Sequence, residues 1–109
     1  MLQESLEKII EKLNSLNAKN ICTFDTQGKN NLAKYIVLSS FENHDDCKNA
    51  CNEILNLLND LNIQLCNLEG LNKGSWIVID LKDLILHILI TKEREKYNLE
   101  RLYKDYKKF

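Results

Sequence analysis

The chain has 109 residues, enough for one small hydrophobic core and too few for two. Apolar residues make up 44% and charged residues 28%, with a net charge of −1. That balance excludes a global field that would gather nucleic acid and leaves only a local basic patch open.

The N-terminal stretch MLQESLEKIIEKL is charged and amphipathic, unlike a secretory signal or a transit peptide. No apolar run reaches the ~18 residues of a membrane span. A cytoplasmic protein with reduced thiols and no membrane partner is expected.

Residues 2–17 read as an amphipathic helix, because Leu2, Leu6, Ile9, Leu13 and Leu16 recur at spacings of four and three. Two or so heptads are short for a coiled coil, so packing on a sheet is the expectation. KNICTFD (19–25) is a strand candidate, TQGKNN a turn around Gly28, and KYIVLSS (34–40) a second strand. In ENHDD, Asn43 or Asp45 would cap a helix running to about Leu61. Its apolar stripe is Cys47, Ala50, Cys51, Ile54, Leu57, Leu58 and Leu61.

NIQLCNLEG (62–70) reads as a third strand and LNKG as a loop. SWIVID and DLILHILI read as two more strands joined by a very short turn. A helical tail is predicted to follow, with Asn98 capping LERLYKDYKK. Lys107 and Lys108 would then sit at its C-terminal end, where carbonyl dipoles favour cations. The order α-β-β-α-β-β-β-α implies one α/β domain over 1–109, with a mixed five-stranded sheet flanked by helices. Asn, Lys, Ile and Leu are abundant and Pro is absent, as AT-rich coding would produce. Many of the asparagines are therefore expected to carry no structural message.

The stretch GSWIVIDLKDLILHILI (74–90) holds the only Trp of the chain inside an apolar run. A two-residue turn at Leu81 and Lys82 would set Asp80 opposite Asp83, Val78 opposite Ile85 and Trp76 opposite His87. All six would share one face, since alternate residues of a strand do. Ile77, Ile79, Leu84, Leu86, Ile88 and Ile90 would form the other face, wholly apolar and buried. Leu-Lys suits a primed turn poorly, and a longer loop would change the pairing but not the alternation.

The mixed face joins an aromatic plate, aliphatic area, an imidazole and two carboxylates, the make-up of an interface anchor with a charged rim. Its carboxylates should lie near solvent or a cation. In the alternative, a helix of the protein itself covers Trp76 and the Asp residues serve the turn. His87 is expected to pack beside Trp76 and donate one hydrogen bond.

His44, Cys47 and Cys51 could share a helix face, but structural zinc takes four ligands, commonly in close pairs, and no second pair follows. Cys22, Cys47, Cys51 and Cys66 are expected to be free thiols, with no metal and no cofactor. Catalysis is not expected either. A nucleotidyltransferase needs a Gly-Ser turn and carboxylates holding two metals about 3.5–4 Å apart. Ser39-Ser40 with Asp45-Asp46 imitates this without the Gly. An RNA-binding module is the third reading. The tail YNLERLYKDYKKF carries Tyr97, Tyr103, Tyr106 and several Lys, but at helical spacing that suits a packed helix with a solvated basic end.

WIVIDLKDLILHILI, followed by Arg94, Tyr97 and LERLY (99–103), resembles the ribosomal silencing factor family, also called Iojap-like. The family pattern falls on Trp76, Asp80, Asp83, His87, Arg94, Tyr97, Leu99, Glu100, Leu102 and Tyr103. Asp25, Gly28, Tyr35 and the Glu69-Gly70 pair match upstream, so the resemblance spans roughly residues 19–103. The chain departs from the pattern at Asn30, Asn31, Lys34 and Phe41-Glu42-Asn43.

The resemblance implies a nucleotidyltransferase-like fold without the catalytic motif. It also implies binding to large-subunit ribosomal protein number fourteen, which would obstruct joining of the small subunit and damp translation when nutrients are short. The contact surface that it implies centres on Trp76, Val78, Asp80 and Leu81. With Asp83 and His87 these form the expected partner-binding set. Incidental contact with ribosomal RNA and a monomeric or weakly dimeric state fit the same reading.

Overall fold

Alternation along the strands sorts the apolar residues onto two sides of one sheet. The computed structural model describes residues 2–109. The elements are α1 (Leu2–Ser15), β1 (Lys19–Asp25), a 3-10 turn (Lys29–Asn31), β2 (Tyr35–Phe41), α2 (His44–Asp60), β3 (Asn67–Glu69), β4 (Trp76–Asp80), β5 (Leu84–Ile90), α3 (Thr91–Tyr97), α4 (Leu99–Leu102) and β6 (Lys107–Lys108). The sheet runs β3-β4-β5-β2-β1-β6. Only β2 and β5 are parallel neighbours.

One side of the sheet carries α1 and α2. Leu6, Ile9 and Leu13 pack with Cys47, Cys51, Ile54 and Leu58 against Val37, Ile77, Ile79, Leu84, Leu86 and Ile88. The helix at the N-terminus thus packs on the sheet as its stripe predicts. Each such aliphatic side chain contributes about 1.5–3 kcal/mol by leaving water. On the other side, Phe24, Ile36, Leu38 and Leu89 are covered by Leu99 and, in part, by Tyr103 and Tyr106.

Every residue of β2 is buried, because both of its faces are covered. Its two serines fit there because each hydroxyl donates to a carbonyl: Ser39 to His87 at 2.9 Å and Ser40 to Lys19 at 3.0 Å.

The sheet has six strands, not the five expected, and the difference lies in the tail. Asn98 takes a left-handed conformation (φ 46°) with no side-chain cap bond. It separates α3 from a four-residue α4 instead of starting a long helix. The chain then returns to the sheet edge, with Lys107 opposite Asp25 and Lys108 opposite Phe24. The aromatics at helical spacing anchor this return. Tyr103 lies 5.5 Å from Phe24, Phe109 5.4 Å from Tyr35, and the Tyr106 hydroxyl accepts from Asn30 Nδ2 at 2.7 Å. Lys107 and Lys108 therefore lie in a strand, not at a helix end. The third strand is also shorter than expected, covering only residues 67–69 of the 62–70 segment.

The asparagines do carry a message. Asn17 and Asn62 adopt positive φ just beyond α1 and α2. Behind each, the amide of the next residue reaches back into the last turn: Ala18 to the Leu13 carbonyl at 3.0 Å and Ile63 to the Leu58 carbonyl at 2.9 Å. That is the Schellman stop, in a position usually held by Gly. Asn tolerates left-handed backbone better than other side chains, so this Gly-poor chain uses it to end helices. At the start of α2, Asn43 Oδ1 accepts from the Asp46 amide at 2.8 Å, as the ENHDD reading predicts.

Candidate functional site

β4 and β5 form the antiparallel hairpin that alternation predicts, and Ile77, Ile79, Leu84, Leu86 and Ile88 are all fully buried. The pairing is shifted by two residues from the expected one. Asp80 lies opposite Ile85, Val78 opposite His87 and Trp76 opposite Leu89. The cause is the loop. Residues 81–83, not two residues, connect the strands, with Lys82 at φ 77° and the Asp83 amide donating to the Leu81 carbonyl at 3.0 Å. This tight γ-type turn supplies the positive φ that Leu-Lys could not provide twice over. A shift of two keeps every side chain on its face, so the mixed face survives.

That face brings Trp76, Val78, Asp80 and His87 together, each partly buried, with Ile85 beside them. The remaining two expected residues lie elsewhere. Leu81 packs partly against the helix-covered core, and Asp83 is exposed in the loop. Asp80 and Asp83 do not face each other. Instead Asp80 Oδ1 accepts from the Lys82 amide at 2.7 Å and holds the turn.

Trp76 is neither free nor covered. Its indole N–H donates to His87 Nδ1 at 3.1 Å, and its ring lies 5.1 Å from that of Tyr97 at the end of α3. His87 packs beside Trp76 as expected and accepts its bond through Nδ1, which leaves Nε2 as the nitrogen that can donate. Burial pushes its pKa down to about 4, so the imidazole is neutral near pH 7, with its proton on Nε2. Tyr97 is half-exposed and extends the aromatic surface from the sheet onto α3. Sequence reasoning left Tyr97 in the tail, since only the docking of α3 brings it to Trp76.

Two further features hold this arrangement. Gly70 has φ 85°, and a Cβ there would come within 2.0 Å of the Trp76 carbonyl oxygen. No other residue fits against β4 at that point. Arg94 is buried in α3 and pairs with Glu100 at 2.9 Å across the Asn98 break. It also reaches Ser40 Oγ and the Lys19 carbonyl, next to an irregularity in β1 between Lys19 and Cys22. Burial raises the Glu100 pKa, but the Arg94 bonds and the charges of Arg94 and Lys108 outweigh it and hold the carboxyl below its usual range.

The other residues that carry chemistry are placed as follows. The Ser39 and Ser40 hydroxyls are committed to backbone carbonyls. Cys47 and Cys51 lie in the core. Among the described residues, no group of three or more His, Cys, Asp or Glu is placed to hold a metal. No helix among them is long and apolar enough to cross a membrane.

Known proteins match this chain over most of its length. The profile of the family described as "Ribosomal silencing factor during starvation" matches residues 1–109. A ribosomal silencing factor of Bacillus subtilis is 28% identical over 106 residues, covering 96% of this chain and 90% of that protein. Two solved structures share the fold. A protein of Chromobacterium violaceum superposes with a TM-score of 0.90 at 23% identity, over 98% of this chain and 89% of that one. One of Bacillus halodurans superposes with 0.83 at 23% identity, over 93% and 94%. With its full length matched by the family profile, the chain belongs to the ribosomal silencing factor family.

Proposed function

We propose that this protein represses translation in the cytoplasm by binding the large ribosomal subunit. Its mixed β4–β5 face docks on ribosomal protein number fourteen and so obstructs joining of the small subunit. The reading rests on family membership and on one observation. Trp76 is half-buried, oriented by His87 and Tyr97, and stands in a face that α1 and α2 do not cover. A rigid aromatic ring with aliphatic neighbours is the usual centre of a binding surface. Asp80 adds a carboxylate on this face and Asp83 a second from the adjoining loop, which suit a basic partner. In this reading the protein is a single-domain binding factor that obstructs sterically and carries out no reaction.

Co-sedimentation with purified large subunits tests this, together with capture of isolated ribosomal protein number fourteen. Trp76→Ala should weaken both by about 30-fold or more, the loss of ~2 kcal/mol at an anchor. Asp83→Lys should weaken them by charge reversal without touching a bond of the fold. Wild-type binding by both variants in folded form would overturn the proposal.

A further inference from the structure

The tertiary structure gathers a second surface from segments about seventy residues apart. Lys29, Lys34, Lys104, Lys107 and Lys108 are all exposed. β6 brings Lys107 and Lys108 beside β1. The Asn30–Tyr106 hydrogen bond ties the 3-10 turn that begins at Lys29 to the tail. The contact of Phe109 with Tyr35 brings the chain end next to Lys34.

Among the described residues, none of these five ammonium groups lies within 4.0 Å of a carboxylate. The charge of Lys108 does reach Glu100, so the other four carry the argument. The acids of the same segments are Asp25, whose Oδ1 accepts from the Gln27 amide, and Asp105. Lysines on an edge strand also discourage sheet extension, which accounts for Lys107 and Lys108. It does not account for Lys29, Lys34 and Lys104, which lie outside the strand. With Asp25 opposite Lys107 and Asp105 beside Lys104, the five lysines still leave the edge net positive, which a polyanion complements.

We infer that this edge docks on the phosphate backbone of ribosomal RNA, as a second contact of the factor on the large subunit. The inference rests on the proposed function and extends it. β6 lies three strands from β5, about 14 Å at ~4.8 Å per strand, so the edge and the Trp76 face can engage one ribosomal surface at neighbouring points. Lysines are point charges without the fork that reads base edges, so the contact positions the factor and does not read sequence. Phe109, half-exposed beside them, offers a ring on which a base can stack.

The test compares full-length wild type with Lys29→Gln/Lys34→Gln/Lys107→Gln, binding purified large subunits across a salt series. Each lost phosphate contact should reduce the slope of log affinity against log salt by about 0.7–0.9, so by about two to three in all. Lys29→Gln/Lys104→Gln, which alters no strand, should reduce it by about one to two. Trp76→Ala should weaken binding with the slope unchanged, which separates this edge from the mixed face. Subunits carrying 4-thiouridine in their RNA should crosslink to peptides spanning 29–34 and 104–109. Unchanged slopes in both lysine variants would overturn the inference while leaving the proposed function intact. RNA crosslinks to the factor that fall outside both segments would overturn it too.

Discussion

The indole N–H of Trp76 donates to Nδ1 of His87 at 3.1 Å, diagonally across β4 and β5, because the register sets Trp76 opposite Leu89 and His87 opposite Val78. Diagonal neighbours in a sheet are within reach of long and aromatic side chains. The bond uses the lone pair of a neutral imidazole, and burial keeps the imidazole neutral. The central aromatic of the proposed surface is therefore oriented by a group whose protonation would break the bond.

This has a consequence for stability against pH. His87 titrates near 4 when folded and near 6.5 when unfolded. Between those values the unfolded chain binds a proton that the folded chain does not, so stability falls as pH drops through that window. The full effect is at most about 3 kcal/mol, at 1.36 kcal/mol per unit. Melts of wild type and His87→Gln from pH 7 to pH 4 should show the wild type losing more stability. Parallel curves would mean that His87 is charged in the folded protein.

The Arg94–Glu100 pair spans the break between α3 and α4, with the Arg94 side chain 7% and the Glu100 side chain 40% exposed. Glu100→Gln leaves a buried guanidinium without its counter-ion. The expected loss is about 2 kcal/mol, below that of a fully buried pair because Glu100 reaches solvent. Urea denaturation reads it directly. A midpoint equal to wild type would show that the pair does not hold α4 in place.

Gly70 and Gly28 make a matched comparison, since both have positive φ. A Cβ at Gly28 meets nothing within 4 Å, whereas at Gly70 it would strike the Trp76 carbonyl. Gly28→Ala should cost only the backbone penalty of about 1–2 kcal/mol. Gly70→Ala should cost several kcal/mol and weaken ribosome binding as well, because β4 must shift. Equal melting temperatures for the two variants would refute the close approach.

The four thiols should react in a fixed order. Cys66 is exposed and Cys22 partly so, while Cys47 and Cys51 are buried with pKa values pushed up to about 11. Burial is the main cause for both, joined at Cys47 by the charge of Asp46. Iodoacetamide near pH 7.5 should label Cys66 first and leave Cys47 and Cys51 intact until the protein unfolds. Native mass spectrometry should show the full reduced mass without zinc. A bound metal or a loss of hydrogens would reverse this expectation.

Periodicity in the sequence by itself determined α1, α2 and the apolar face of the β4–β5 hairpin, while β-forming residue types marked β1 and β2. A repeat of two or of 3.6 residues states which side of an element is buried, whatever it packs against. The same alternation gathered Trp76, Val78, Asp80 and His87 on one face before any partner strand was known. Alternation fixes a face but not a register, and a slip of two residues changes every opposing pair without moving a side chain to the other side. The three-residue turn at Leu81–Asp83 therefore decided that Asp80 meets Ile85 and that His87 accepts from Trp76. The tail was beyond reach for a different reason. A two-residue strand such as Lys107–Lys108 has no local signal, and its place depends on contacts with Phe24, Asn30 and Tyr35, some seventy or more residues earlier. Tyr97 came to Trp76, and the lysines to one edge, only when those long-range contacts closed.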